Sequence, residues 1–215
     1  MYRKRKTKAR CLLTVLFMAM CIPGFAFKGN GKTKSEWNLA KESGGVTIHY
    51  RWIEAEGFPK TREMRAQFVI ESELPEIILC FSDPEKYMLW ASCIKECRFD
   101  KASDSAWIVY SVMNYPWPFN KKILVTSFSI QNSKEGSIIR IKAFSEKNPG
   151  VSESITINQY EGAWYFIPSQ NGEILVDYRV VSCTKPVFPR FIQDPVIQKI
   201  CIKSFNGLKK LAEKK

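Results

Sequence analysis

The sequence predicts an α+β fold, an antiparallel β-sheet followed by one long amphipathic helix. Three observations point there. From residue 94 to residue 182 the hydrophobic period falls to two across six segments separated by turn residues, the pattern of half-buried strands. Ile197, Cys201, Phe205, Leu208 and Leu211 then recur at three-to-four spacing, the apolar stripe of a helix lying on a core. With 215 residues, 45% of them apolar and 13% aromatic, the chain can bury one substantial core.

Trp37 to Lys41 is expected to form a short helix broken by Gly44-Gly45. Val46, Ile48, Tyr50 and Trp52 alternate with Thr47, His49 and Arg51, which predicts a strand, and Arg62 to Glu71 a second strand paired with it. Leu74 to Phe81 has proline in its first turn, where the missing N–H costs little, ahead of an apolar run suited to a buried helix. Asp83-Pro84 repeats that start signal for a second short helix bearing Tyr87 and Trp90. Strands are then expected at about 94–100, 106–114, 122–132, 137–145, 153–163 and 173–182, with turns at 133–136, 147–150 and 170–172. Asp194 is expected to cap the last helix with Pro195 at its first position, giving about eighteen residues and roughly 27 Å of rod.

Residues 1–26 have the layout of a secretory signal peptide. Six basic and no acidic residues precede an apolar run from Cys11 to Ile22, and Gly24 and Ala26 offer a small-x-small cleavage site. An uncleaved membrane anchor is the alternative, although the run is short of the ~20 residues a spanning helix needs. Residues 27–36, rich in Lys, Gly and Ser, are expected to be a disordered lead-in, and residues 37–215 one domain. The whole chain has net charge +12; without the leader, 27 basic and 21 acidic residues leave +6. That mild, scattered excess suits transient contact with an anionic membrane surface and no nucleic acid. Five cysteines remain beyond the leader, an odd number that excludes a complete disulfide framework, and most suit small apolar core positions.

No catalytic or metal motif stands out. His49 is the single histidine, and no Gly-x-Ser-x-Gly elbow, phosphate loop, Cys-x-x-Cys or His-x-x-x-His occurs, so neither a metal nor a cofactor is implied. The most distinctive stretch is Asn114-Tyr115-Pro116-Trp117-Pro118-Phe119-Asn120-Lys121-Lys122. Two prolines around a tryptophan make a rigid corner between strands, and on composition alone Trp117 would plug the end of the sheet.

That corner resembles the midpoint of the START (steroidogenic-acute-regulatory-related) lipid-transfer domain. Asp83 to Trp90 is similar to the family's helix ending in tryptophan, and Tyr160-Glu161-Gly162-Ala163-Trp164 to its Tyr-x-Gly-x-Trp strand. Pro189-Arg190-Phe191-Ile192 leads into a helix ending Phe205-Asn206-Gly207-Leu208-Lys209, like the family's last helix. The resemblance covers about residues 37 to 212. It implies the helix-grip fold, a curved antiparallel sheet wrapped around the carboxy-terminal helix, with one sterol, phospholipid or similar hydrophobic ligand in a cavity gated by that helix. It further implies a monomeric carrier rather than an enzyme; the alternative is an aromatase/cyclase-like enzyme, which shares the fold and shapes polyketides in the same cavity.

Several positions depart from the family pattern. Its usual Arg-Asp after the corner is Lys121-Lys122, its buried acid–base pair falls near Tyr110 and Ser127, and its strand arginine near Thr156. These replacements imply a less polar cavity. The expected ligand-binding residues are Tyr110, Ser127 and Gln159 from the strands, Phe205 from the last helix, and Arg140 as a polar anchor, unless Arg140 is simply a solvated strand charge.

Overall fold

The computed structural model describes residues 33–54, 60–143, 157, 160–183 and 186–213. The expected signal peptide, the turn at 147–150, Thr156 and Gln159 lie outside the described residues. The elements are β1 (Thr33–Lys34), β2 (Asn38–Ser43), β3 (Val46–Glu54), β4 (Thr61–Ile70), α1 (Leu74–Ser82), α2 (Pro84–Trp90), β5 (Ile94–Ser103), β6 (Ala106–Met113), β7 (Lys122–Ser133), β8 (Gly136–Ala143), β9 (Tyr160–Pro168), β10 (Ile174–Ser182) and α3 (Arg190–Ala212).

The strands form one antiparallel sheet in the order β1-β3-β4-β10-β9-β8-β7-β6-β5, with β2 also on β3. Pairing of β10 with β4 joins the first hairpin to the meander. The sheet is open, so its outermost strands are β1 and β2 on one side and β5 on the other. β2 pairs through a bulge at Leu39/Lys41, and β5 through bulges at Ile94/Glu96 and Lys101/Ser103. The helices pack on the curved inner face: the core runs from Ile48, Phe68 and Ile70 through Ile77 and Phe81 to Phe166, Val176 and Leu208. This is the α+β helix-grip arrangement expected.

Four local expectations are corrected. Residues 38–43 are a strand, not a helix, because Gly44 and Gly45 at φ +60° and +74° make a two-residue hairpin turn that returns the chain onto β3. The lead-in falls mostly outside the described residues, but Thr33–Lys34 pairs with Glu54 and Ile53 of β3. The last helix begins at Arg190 and runs 23 residues, roughly 34 Å, with Pro195 inside it. Asp194 does not cap; both its oxygens accept hydrogen bonds from Arg62, at 2.7 and 2.8 Å. The proline removes one helical hydrogen bond in the second turn, and the Asp194 contact with β4 fixes that turn from outside. α2 is capped as expected, Asp83 accepting from the amides of Glu85 and Lys86. β9 extends to Pro168, five residues past the predicted end, since Trp164 to Ile167 continue the ladder with β10.

Candidate functional site

Inward alternation along the sheet decides what meets α3. On β6 the inner face is Trp107, Val109, Ser111 and Met113; on β7 it is Lys122, Leu124, Thr126 and Phe128. Near the carboxy-terminal half of α3 the interior is solid. Phe205 stacks on Phe68 of β4 (centroids 5.2 Å apart), and Leu208 is fully buried. Phe81 meets Trp90, Trp164 and Phe166 at 4.9 to 5.7 Å.

Toward the amino-terminal half of α3 the interior opens into a cavity of about 370 Å³. Met64, Ile141, Trp164 and Val180 contribute its sheet wall, Tyr87 and Trp90 of α2 one side, and Ile197, Cys201 and Phe205 of α3 the roof. Asn120, Pro186 and Val187 line it and are exposed, so it reaches the surface between the β6–β7 corner and the segment before α3. Phe119 and Phe188 meet edge to face at 5.0 Å across that rim. Arg62 and Asp194 line it as a bidentate ion pair, with the Arg62 guanidinium 4.0 Å over the Tyr50 ring.

The cavity's other hydrogen-bonding groups are mostly hydroxyls and thiols. The Tyr160 and Tyr178 hydroxyls lie 2.6 Å apart. Burial pushes the Tyr160 phenol up to about 12, and also raises Tyr87, Tyr115 and Tyr178. It pushes the Cys201 thiol to about 12 and Cys93 to about 11. These groups stay neutral at physiological pH. Ser92 and Ser204, whose hydroxyls are 2.9 Å apart, tie the start of β5 to α3, and the Ser92 hydroxyl donates to the Ile200 carbonyl.

Of the expected ligand residues, Phe205 stands in the cavity wall. Tyr110 and Ser127 do not: both face away from the cavity, Tyr110 under the Arg98 guanidinium at 4.2 Å and Ser127 donating to the Lys142 carbonyl. Arg140 is solvated on the outer face, its Nε donating to Gln131. The error has one cause. Both faces of β6 are apolar, so period-two alternation leaves its phase open, and a one-residue slip exchanges the faces. The aromatic pair Trp107–Phe128, stacked at 5.5 Å on the inner face, was the signal that could have set the phase. Trp117 does not plug the sheet: it is 92% exposed, beside a cis bond to Pro118, and Phe119 turns inward instead. Tyr160, Tyr178, Ser111 and the Arg62–Asp194 pair were missed, because their convergence depends on strand register and on contacts between different elements.

No family model matches the chain. A Pseudomonas aeruginosa protein described as uncharacterised is 23% identical over 207 residues, spanning 96% of this chain and 100% of that protein. Among solved structures, a STAR-related lipid transfer protein fragment from Xanthomonas axonopodis superposes with TM-score 0.69 at 18% identity, covering 83% of this chain and 99% of that one. The fold is the START fold. Human StAR-related lipid transfer protein 5 superposes at TM-score 0.65 and 11% identity, covering 82% and 86% of the two chains. An aromatase/cyclase from Streptomyces sp. R1128 does so at 0.54 and 10%, covering 71% and 94%. Lys122 of the Lys-Lys pair lines the cavity.

Proposed function

We propose that this START-fold chain binds one hydrophobic ligand in the cavity under α3 and carries it between membranes, without catalysing a reaction. The observation behind this reading is the 370 Å³ cavity, walled largely by aromatic and aliphatic side chains, with the neutral phenol pair and the Arg62–Asp194 ion pair among its few polar groups. Such concave apolar sites take apolar ligands, and each Å² of apolar area withdrawn from water contributes ~25 cal/mol. At ~30 Å³ for a water-sized group, the volume suits on the order of a dozen methylenes. A single-chain or compact ring lipid fits; a sterol or two-chain phospholipid requires the wall to yield.

The rim supports membrane delivery. Trp117, Phe191 and Val187 are 92%, 79% and 62% exposed around it, with Lys121 and Arg190 nearby in the chain. Aromatic side chains favour the interface of a bilayer, and cations favour its anionic headgroups. The first turns of α3 and the rim segment before it then act as the gate. The leader would place this monomeric carrier outside the cytoplasm after cleavage behind Ala26. The cyclase-like reading is the rival, favoured by the Streptomyces superposition, but phenols and thiols held neutral by burial are weak acid–base catalysts near pH 7. Extraction of the purified protein followed by mass spectrometry tests the proposal. Reproducible recovery of one lipid class supports it; empty protein that takes up no lipid overturns it.

A further inference from the structure

The Tyr160–Tyr178 contact joins two phenols from neighbouring strands at the cavity wall. Tyr178 pairs with Trp164 in the β9–β10 ladder and its ring stacks on that indole at 4.2 Å; Phe205 meets it edge-on at 5.7 Å. The ring is therefore held in place before any ligand arrives. Two hydroxyls 2.6 Å apart hold two O–H groups, and their mutual hydrogen bond uses one. The second O–H and the remaining oxygen lone pairs are the pair's unspent hydrogen-bonding capacity. Burial makes that capacity costly to leave unused, because a buried donor without a partner loses its water with no return.

We propose that this hydroxyl pair is the polar subsite of the cavity and selects an apolar ligand bearing one uncharged hydroxyl or carbonyl group. The inference rests on the cavity holding an apolar ligand. A ligand carbonyl accepts the unspent O–H, and a ligand hydroxyl both accepts it and donates to a phenol oxygen. A hydrocarbon leaves it unpaired. A carboxylate or phosphate gives up its hydration to a site whose electrostatic neighbours are themselves neutral, Tyr87, Cys93 and Cys201 acting on the pair. Four charged side chains also line the cavity, Arg62, Asp194, Lys122 and Arg190; Arg62 and Asp194 bind each other, and none of the four is among the groups acting on the hydroxyl pair.

The test uses the purified, lipid-stripped protein and three C12 probes, 1-dodecanol, dodecane and dodecanoate, titrated at pH 8 by intrinsic tryptophan fluorescence. Y160F/Y178F removes both hydroxyls together and leaves the ring shapes, the replacement least costly to the fold. The alcohol is expected to bind about ten-fold more tightly than either other probe, and the double variant to lose that advantage while keeping its affinity for dodecane. Equal affinity for alcohol and alkane in the wild-type protein overturns the subsite and leaves the carrier reading standing. So does tightest binding of dodecanoate, or an alcohol advantage that survives in the double variant. Binding of none of the three removes the carrier reading and the subsite with it. If the double variant does not melt cooperatively, Y160F alone decides: an undiminished alcohol advantage overturns the proposal and a reduced one supports it.

Discussion

Gly207 of α3 crosses the backbone of Trp90 so closely that a Cβ on it would stand 3.3 Å from the Trp90 Cα and 3.4 Å from its carbonyl oxygen. The neighbour is backbone, so it cannot swing aside. Substitution G207V is expected to destabilise the fold by ~1–3 kcal/mol through overpacking, measured as a lower urea midpoint at unchanged slope. G207A is expected to cost less, since the gain in helix propensity offsets part of the crowding.

The Arg62–Asp194 pair ties the second turn of α3 to β4, and both side chains are less than one-fifth exposed. D194A leaves the guanidinium without its bidentate partner and is expected to cost about 1–3 kcal/mol. Because this contact holds the rim, the same variant is expected to release a bound fluorescent lipid faster. Unchanged thermal stability together with unchanged release rate would remove the pair's role in the gate.

Acid is expected to loosen the outer face of β3, β4 and β10. His49 titrates below its ordinary 6.5 because burial, and then the Arg65 charge, disfavour the imidazolium. The unfolded chain therefore binds that proton more readily, and stability is full above pH 6.5 and declines as the pH falls below it. For Asp177 burial acts upward, but hydrogen bonds and charges from Arg65 and Arg179 together outweigh it and hold the carboxyl below 3.8. Its contribution is present above pH 3.8 and is lost as the pH falls through the lowered value. H49Q is expected to flatten the first part of the stability–pH curve. D177N, which leaves Arg65 and Arg179 facing each other across the ladder, should cost roughly 3 kcal/mol at pH 7.

W117A and F191A are expected to leave the melting temperature within a degree or two, since both side chains stand in solvent. Transfer of a fluorescent lipid between vesicles containing anionic lipid should nevertheless slow several-fold. Unchanged transfer in the double variant would dissociate the exposed rim from delivery.

Much of the fold was legible because its signals are local. The proline-started helices at Leu74 and Pro84, the turns at 133–136 and 170–172, and the stripe through Cys201, Phe205 and Leu208 each follow from a few neighbouring residues. The misread elements are those where tertiary contact overrode a local rule. Residues 38–43 became a strand because β3 was there to pair with them, and the last helix began before Pro195 because Arg62 claimed the expected cap. The site was less legible still. Which face of β6 looks inward depends on packing against β7 and the helices, and the meeting of Tyr160 with Tyr178, or Arg62 with Asp194, spans 18 and 132 residues.

A sheet that never closes on itself presents unpaired amides and carbonyls at both borders, a template on which further copies could stack into fibrils. Here each border is spoiled for that purpose. β2 is kinked and bears Lys41 and Glu42, and β5 is kinked twice and bears Lys95, Glu96, Arg98, Asp100 and Lys101. Edge-to-edge stacking of one copy on the next is thereby disfavoured, and the open sheet can stand beside other copies without zipping onto them.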